Sequence, residues 1–464
     1  MSALEIAERA RACLDGGGLA RVVHERSSSL RFAANRPTQA TAIDDVTVEL
    51  AVVRGGHVGR AATNRTDRES LVRCADRAAT AAELATTAAA GGHPGLRVDA
   101  PRAGAGGGSR QLEAQVDPDG GAGALDTAFS VARAAGLEAH GIWSAGVVDH
   151  AVTDGEQANE ERTTDAFFKV ICIDASRGRS GYAALAARAA DGLGVQGLCE
   201  EAARKASTDT GAPELELPSG SYPVVFEPAA VGLLLATLGK SALNGLAHAE
   251  RRGGLVGRLG RQVAAPAVNL ADSPSLPRGL PRSFDAEGTA KRPLALIQDG
   301  VARAVVHDRR SAALEHTEST GHATVPGGSS HGPLPLNLVL AGGGAADVAE
   351  LCAPVERGIY VTRLWYANLI RPKETLVTAI TRDGTFLIEN GAVTRPLRDL
   401  RLTDSLLGML SRVQALTAGQ RLTSEAEFYG RRNPSGVVCP AARVGSVRFT
   451  SAAGPVSLPG ATET

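Results

Sequence analysis

Three stretches of this 464-residue chain hold side chains whose types could do chemistry. The first, GLLLATLGKS (232–241), ends in the Gly-Lys-Ser of a phosphate-binding loop. Such a loop needs its first glycine where Leu234 stands, and Leu233, Leu234 and Leu235 put branched side chains where phosphate oxygens must meet bare backbone amides. Val231, Leu234, Leu235, Leu238 and Leu246 instead recur at helical spacing behind Pro228, which predicts a core-facing helix. The second stretch, HTESTGHATVPGGSSHG, places His316, His322 and His331 close together in sequence, enough imidazoles for a zinc site. Their spacing matches no compact metal motif, so they read as surface or cavity-lining polar groups, with a ligand role as the alternative. GGSSHG within it lacks the strand-turn-helix setting of a nucleophilic serine. The third candidate is a thiol, Cys439, near the C-terminus.

Weaker signals are quickly weighed. His24-Glu25 has no histidine four or five residues on. His248 ends the apolar helix and suits a cation in a C-terminal turn. AGGGAADVAEL (341–351) has the amides for an anion at a helix start but no lysine behind them, and reads as a turn.

The elements that must position these groups follow from length and pattern. A chain this long predicts two domains. Lys+Arg 49 against Asp+Glu 50 leaves no basic excess for a nucleic-acid binder, and pairs such as Arg251-Arg252, Arg309-Arg310 and Arg431-Arg432 read as solvated surface. The six cysteines are widely spaced with no CxxC, which supports neither a zinc ribbon nor a disulfide framework and suits a reducing cytoplasm. The amphipathic start MSALEIAERARACLDGGG and the lack of a membrane-length apolar run predict a soluble, unexported, cytoplasmic protein.

Residues 1–206 predict an α+β domain: a helix, a meander of four strands across 20–64 broken at Pro37 and Gly55-Gly56, then an Ala-rich helix opened by a Thr66/Glu69 capping box. Residues 88–110 read as a surface connection, followed by a second cycle of a helix ending at Gly136, strands near 138–152, 165–174 and 180–188, and a helix over 193–206. The Pro-rich 207–222 reads as a linker, and 223–464 as a mainly antiparallel β-rich domain with hairpin dipeptides at Asp299-Gly300, Asp383-Gly384 and Asn390-Gly391.

The C-terminal half, in YPVVFEPAAVGLLL, FDAEGTAKRPLALIQDGVARAVVHD, STGHA, PLPLNLVL, GIYVTRLWYANLIRPKETLVTAITRDGTFLIENGAVTRPLRDLRLTDSLLGMLSRV and GVVCPAARV, resembles the TldD/PmbA peptidase family. In metal-binding members the helix after the PVV strand carries His-Glu-x-x-x-His and a C-terminal cysteine completes the site. The resemblance puts those histidines at Ala236 and Ser241 and the glutamate at Thr237, none of which can serve a catalytic zinc. Cys439 falls outside the glycine-bearing turn of the ligand cysteine, and YGRRNPSG fills that turn without a thiol.

Lost ligands in a retained scaffold resemble the PmbA (TldE) side of the family. This implies a non-catalytic subunit with no metal or cofactor of its own, paired with a TldD-like sister that carries zinc or iron, the pair hydrolysing unfolded peptides or small amide-linked metabolites. His316, His322, Trp365 and Tyr366 are the expected substrate-cavity residues, with the two aromatics doubling as dimer-face anchors. Two alternatives stay open: a diverged hydrolase using His316, His322 or Cys439, and a peptide-binding protein that does not cleave.

Overall fold

The computed structural model describes residues 1–86, 92–100, 118–208, 214–424 and 430–452. It shows an α+β architecture of two sheets. The first is six-stranded, fully antiparallel, and ordered β3-β2-β1-β4-β5-β6. Its strands are β1 (Leu19–Ala33), β2 (Arg36–Arg54), β3 (His57–Thr63), β4 (Glu138–Thr153), β5 (Ala158–Asp174) and β6 (Arg179–Ala187). Four helices accompany them: α1 (Ala3–Arg11), α2 (Arg68–Ala85), α3 (Pro118–Ala134) and α4 (Val195–Ala206).

Chain order and sheet order together show one unit used twice. Helix, three strands and helix run from α1 through β1, β2 and β3 to α2, and again from α3 through β4, β5 and β6 to α4, with β1 and β4 antiparallel at the centre. Each unit closes its third strand against its last helix through a glycine. A Cβ on Gly59 would lie 2.0 Å from the Ala78 carbonyl oxygen and 2.2 Å from the Ala82 nitrogen, and one on Gly181 would lie 2.2 Å from the Ala202 oxygen and 2.5 Å from the Ala206 nitrogen. Helix backbone therefore touches strand backbone at both places, which no other residue type permits.

Alternation along the strands separates the two faces of this sheet. Val22, Leu50, Trp143 and Phe168 point to the helices, where Ile6, Leu71, Cys74, Phe129 and Ala202 meet them. Their neighbours Ile142, Phe167 and Ala186 point the other way, onto Leu280, Leu422 and Val438 of the C-terminal half. That second face also buries Glu25, Ser27, His150, Glu161 and Asp165. The seam between the two halves is thus charged as well as closed.

The second sheet has eleven strands: β7 (Gly220–Phe226), β8 (Leu270–Asp272), β9 (Leu294–Gln298), β10 (Val301–Ala302), β11 (Asn337–Leu340), β12 (Arg357–Arg371), β13 (Leu376–Glu389), β14 (Ala392–Pro396), β15 (Leu400–Ser405), β16 (Val413–Thr423) and β17 (Gly436–Ala452). Its pairings are antiparallel except β7 with β12 and β11 with β17. The helices α5 (Pro228–Ser241), α6 (Gly245–Ala249), α7 (Arg309–Leu314), α8 (Val348–Cys352) and α9 (Leu406–Ser411) complete this half. The stretch read as one core-facing helix is α5, with Pro228 in its first turn, Val231, Leu235 and Leu238 buried and Leu234 half-buried; it ends at Ser241, and Leu246, though buried, lies in the separate α6.

Several sequence readings change. Residues 19–63 make three strands, because the first reversal falls at Ala34-Asn35, both at positive φ, and Pro37 lies within β2. The cap of α2 is Asp67, whose side chain accepts the Ser70 N–H, and not Thr66. Asp299-Gly300 and Asn390-Gly391 do turn hairpins, at φ of +51° and +75° and of +50° and +83°. Asp383-Gly384 does not: it lies inside β13, at φ of +53° and +121°, where the β12–β13 register shifts. Of the stretch read as a surface connection, 92–100 runs along the surface with His93 and Val98 anchored inward, while 88–91 and 101–110 lie outside the described residues. So do 209–213 of the expected linker.

Candidate functional site

On α5, the positions that would have to supply metal ligands are closed off chemically. Ala236 has no donor. The Thr237 hydroxyl donates to the Leu233 carbonyl at 2.8 Å, and the Ser241 hydroxyl donates to the Thr237 carbonyl at 3.2 Å. Both hydroxyls thus turn back on their own helix, the usual fate of Ser and Thr at interior helical positions. Cys439 is fully buried in β17 against the start of this helix, its Sγ 3.3 Å from the Pro228 carbonyl oxygen, and burial pushes the thiol up to about 12. A buried thiol so far from ionising is a poor nucleophile, and its hydrogen-bond acceptor is a backbone carbonyl.

The three histidines of 316–331 go to different places. His316 is exposed at φ +53° in the turn after α7, and His331 is exposed. His322 is buried with no exposed side-chain surface. Its Nδ1 lies 2.8 Å from Thr320 Oγ1, and its Nε2 lies 3.2 Å from Asp272 Oδ1, which is itself 3.1 Å from Lys291 Nζ. Burial, with Lys291 beside it, pushes the imidazole down to about 4, so His322 is neutral at neutral pH. Burial works to raise Asp272, but Lys291 and His322 outweigh it and hold the carboxyl below the usual range. Asp285 nearby accepts the N–H groups of Glu287, Thr289 and Ala323, while burial and Glu287 push it up to about 7. This network ties loops to β8 inside the protein. Among the described residues no three His, Cys, Asp or Glu side chains converge to hold a metal ion, so the residues present do not fit the zinc or iron that the family resemblance attaches to this scaffold.

The turn before β17 is held by charge. Arg432, 3 % exposed, reaches across the seam and grips Asp165 on β5 as a fork, Nε to Oδ1 at 2.7 Å and Nη2 to Oδ2 at 3.0 Å. Its own N–H donates to Glu25 Oε2 on β1 at 2.8 Å. Next to it Arg282 donates to Asn433 Oδ1 at 2.8 Å, and Glu161 accepts from the Ser283 hydroxyl at 2.5 Å. Sequence gave no sign of this contact; the Arg431-Arg432 pair had read as solvated.

Trp365 and Tyr366 do come together, on the outer stretch of β12. Their rings meet edge to face with centroids 5.5 Å apart. Tyr366 stands at φ +51° in a bulge of the β12–β13 ladder and is 66 % exposed, whereas Trp365 is half-buried. Arg363 is sandwiched between Trp365 and Tyr182 of β6, its guanidinium carbon 5.0 and 4.6 Å from the ring centres, and its Nε donates to Asp383 Oδ2 at 2.7 Å. Asp383 also accepts the Ser180 hydroxyl at 2.7 Å. The Asp383-Gly384 bulge therefore turns a carboxylate toward the other domain, a recurrent use of bulges. Beside it burial and Asp383 push Asp399 up to about 7.

Comparison with known proteins places this architecture. The PmbA/TldA metallopeptidase C-terminal domain matches residues 219–451, and the PmbA/TldA metallopeptidase domain 1 matches residues 20–82. A metalloprotease of Methanothermobacter thermautotrophicus is 25% identical over 213 residues, 44% of either chain. A zinc metalloprotease TldD homolog of Saccharolobus solfataricus is 21% identical over 211 residues, 43% of this chain and 44% of the relative. The matched stretch thus spans less than half the length of these curated relatives. The crystal structure of TldE from Thermococcus kodakarensis shares the fold over 96% of this chain and 99% of its own, with a TM-score of 0.81 and 18% identity. With both domain descriptions matched in order along its length, the chain belongs to the PmbA/TldD metallopeptidase family.

Proposed function

We propose that this chain is the non-catalytic subunit of a two-chain peptidase, pairing with a TldD-like sister that carries the metal, zinc or iron. Together they hydrolyse unfolded peptides or small amide-linked metabolites in the cytoplasm. The observation that carries the reading is α5: Ala236 without a donor, and Thr237 and Ser241 with hydroxyls spent on helix carbonyls. A hydrolytic metal generates the nucleophile and stabilises developing charge, and a helix with no ligand supplies neither. The diverged-hydrolase alternative has no comparable support, since His316 is exposed while His322 and Cys439 are each sealed in separate surroundings. In the proposed complex this chain contributes the walls and the docking face, for which the exposed Tyr366 and half-buried Trp365 are the candidates.

A peptidase assay on the chain purified without a partner tests this. The expected result is no turnover alone, and turnover on adding a sister with an intact His-Glu-x-x-x-His that is lost when the sister's glutamate is changed. Chelator-sensitive turnover by the isolated chain, removed by His316→Ala, His322→Ala or Cys439→Ala, would overturn it.

A further inference from the structure

Arg363 and Arg382 sit directly opposite each other on β12 and β13. Like charges in that relation repel, so each needs its own compensation. Arg363 has it, in the ion pair with Asp383 and in two aromatic faces. Arg382 lies over the Trp365 ring, its guanidinium carbon 5.7 Å from the centroid, and its charge acts on Asp399, but it makes no hydrogen bond or ion pair among the described residues. It is half-buried in mid-strand, so its five donors are less free to solvate than those of a tip arginine. The acid nearest in effect, Asp399, faces Arg382, Asp383 and the Glu214 carboxylate, and burial together with Asp383 keeps much of it protonated near neutral pH.

A second observation falls on the same spot. Tyr366 takes a left-handed backbone conformation, at φ +51°, which is unfavourable for a bulky residue. In return the bulge turns its ring outward, 66 % exposed, edge-on to Trp365. Ile370, 49 % exposed, adds apolar surface further along the strand. A guanidinium with its hydrogen-bond donors unused, over the face of an indole that has an exposed phenol ring at its other contact, offers a planar fork for a carboxylate and an apolar shelf for the side chain attached to it.

We infer that Arg382, Trp365 and Tyr366 form a binding site for a peptide carboxylate, Arg382 taking the two oxygens and Trp365 and Tyr366 the adjoining apolar side chain. The inference rests on the proposed peptide-handling role and adds to it the chemical group by which a peptide is held.

The test is a fluorescence titration of the full chain, free of partner, with the tripeptide acetyl-Ala-Leu-Ala as free acid, as C-terminal amide, and as an amide with aspartate in the last position. Trp143 is buried in the first domain and Trp365 is half-buried, so a signal from the site disappears in Trp365→Phe. The free acid should give a saturable change, with the plain amide at least tenfold weaker. Arg382→Gln should remove that difference while leaving the circular dichroism unchanged, because Arg382 makes no hydrogen bond or ion pair among the described residues. Binding of the aspartyl amide would extend the site to side-chain carboxylates, and its failure to bind would restrict the site to chain ends; either supports the inference. Equal affinity for acid and amide, no saturable change, or an Arg382→Gln protein that still discriminates would overturn it. None of these readouts involves turnover, so the result is separate from the partner-dependence assay.

Discussion

Replacing Arg432 with methionine is the sharpest test of how the two domains are joined. The guanidinium is almost fully buried, and both arms of its fork end on Asp165, with Glu25 close by on β1. Removing it leaves Asp165 buried with no cation, and breaking such a pair from one side costs about 3–5 kcal/mol. Burial already raises the Asp165 carboxyl, and Arg432 is the group that pulls it down. In Arg432→Met the carboxyl rises further, above its value in the unfolded chain, so the folded protein holds the extra proton. Stability is then retained at low pH and lost as pH rises through the new folded value, at up to about 1.4 kcal/mol per pH unit. Urea unfolding followed by the fluorescence of Trp143, which lies in the same sheet as Asp165, should show Arg432→Met destabilised by about 3–5 kcal/mol at pH 8 and by clearly less at pH 5. The double change Arg432→Met with Asp165→Leu removes both charges and should recover most of the loss. A single substitution costing under ~1 kcal/mol, or one whose cost does not change with pH, would refute the view that this buried fork fastens the seam.

Asp399, pushed from its ordinary 3.8 to about 7, favours the folded state when protonated. That contribution is fully present below about pH 4 and disappears as pH rises through 7, so Asp399→Asn should flatten the pH dependence of the melting temperature over this window. The rise bounds the effect near ~4 kcal/mol, which solvent access to a half-buried carboxyl reduces to about 1–3 kcal/mol. Gly59→Ala and Gly181→Ala should each lower thermal stability by about 3 kcal/mol or more, because the new methyl meets helix backbone that cannot yield. Gly197→Ala on α4, with nothing within 4 Å, should be neutral or stabilising by about 0.5 kcal/mol. Of the six thiols only Cys13 is not buried, so a disulfide reagent at pH 8 should label one cysteine per native chain, and Cys13→Ser should abolish the fast phase.

Local chemistry made much of this structure legible. The apolar spacing of Val231, Leu235 and Leu238 behind Pro228 is a property of a few adjacent residues, and α5 forms where it should. Asn390-Gly391 turns its hairpin for the same reason. Asp383-Gly384 misled because the dipeptide states only that positive φ is available there. Whether the ladder stops or bulges depends on the length of β12 opposite and on Ser180 and Arg363 waiting for the carboxylate. Arg432 misled for a related reason: its partners lie more than 260 residues away in sequence, and nothing in GRRNPSG distinguishes an arginine bound for the interior from one in water. Trp365 and Tyr366 were found as a pair because aromatics are scarce in this chain. Arg382 escaped notice because its significance is the lack of a partner, visible only once every neighbour has a position.

The repeated helix-three-strand-helix unit gives the first sheet an approximate two-fold axis between β1 and β4. Gly59 and Gly181, each closing a third strand against the last helix of its unit, are equivalent positions under that symmetry. Counted from Val52 and Cys172, the ladder partners of those glycines, the position of Asp165 in β5 is held in β2 by Asp45, which is half-buried. The C-terminal half grips Asp165 through Arg432, whereas Asp45 makes no ion pair among the described residues, so an approximately symmetric platform is loaded on one side only.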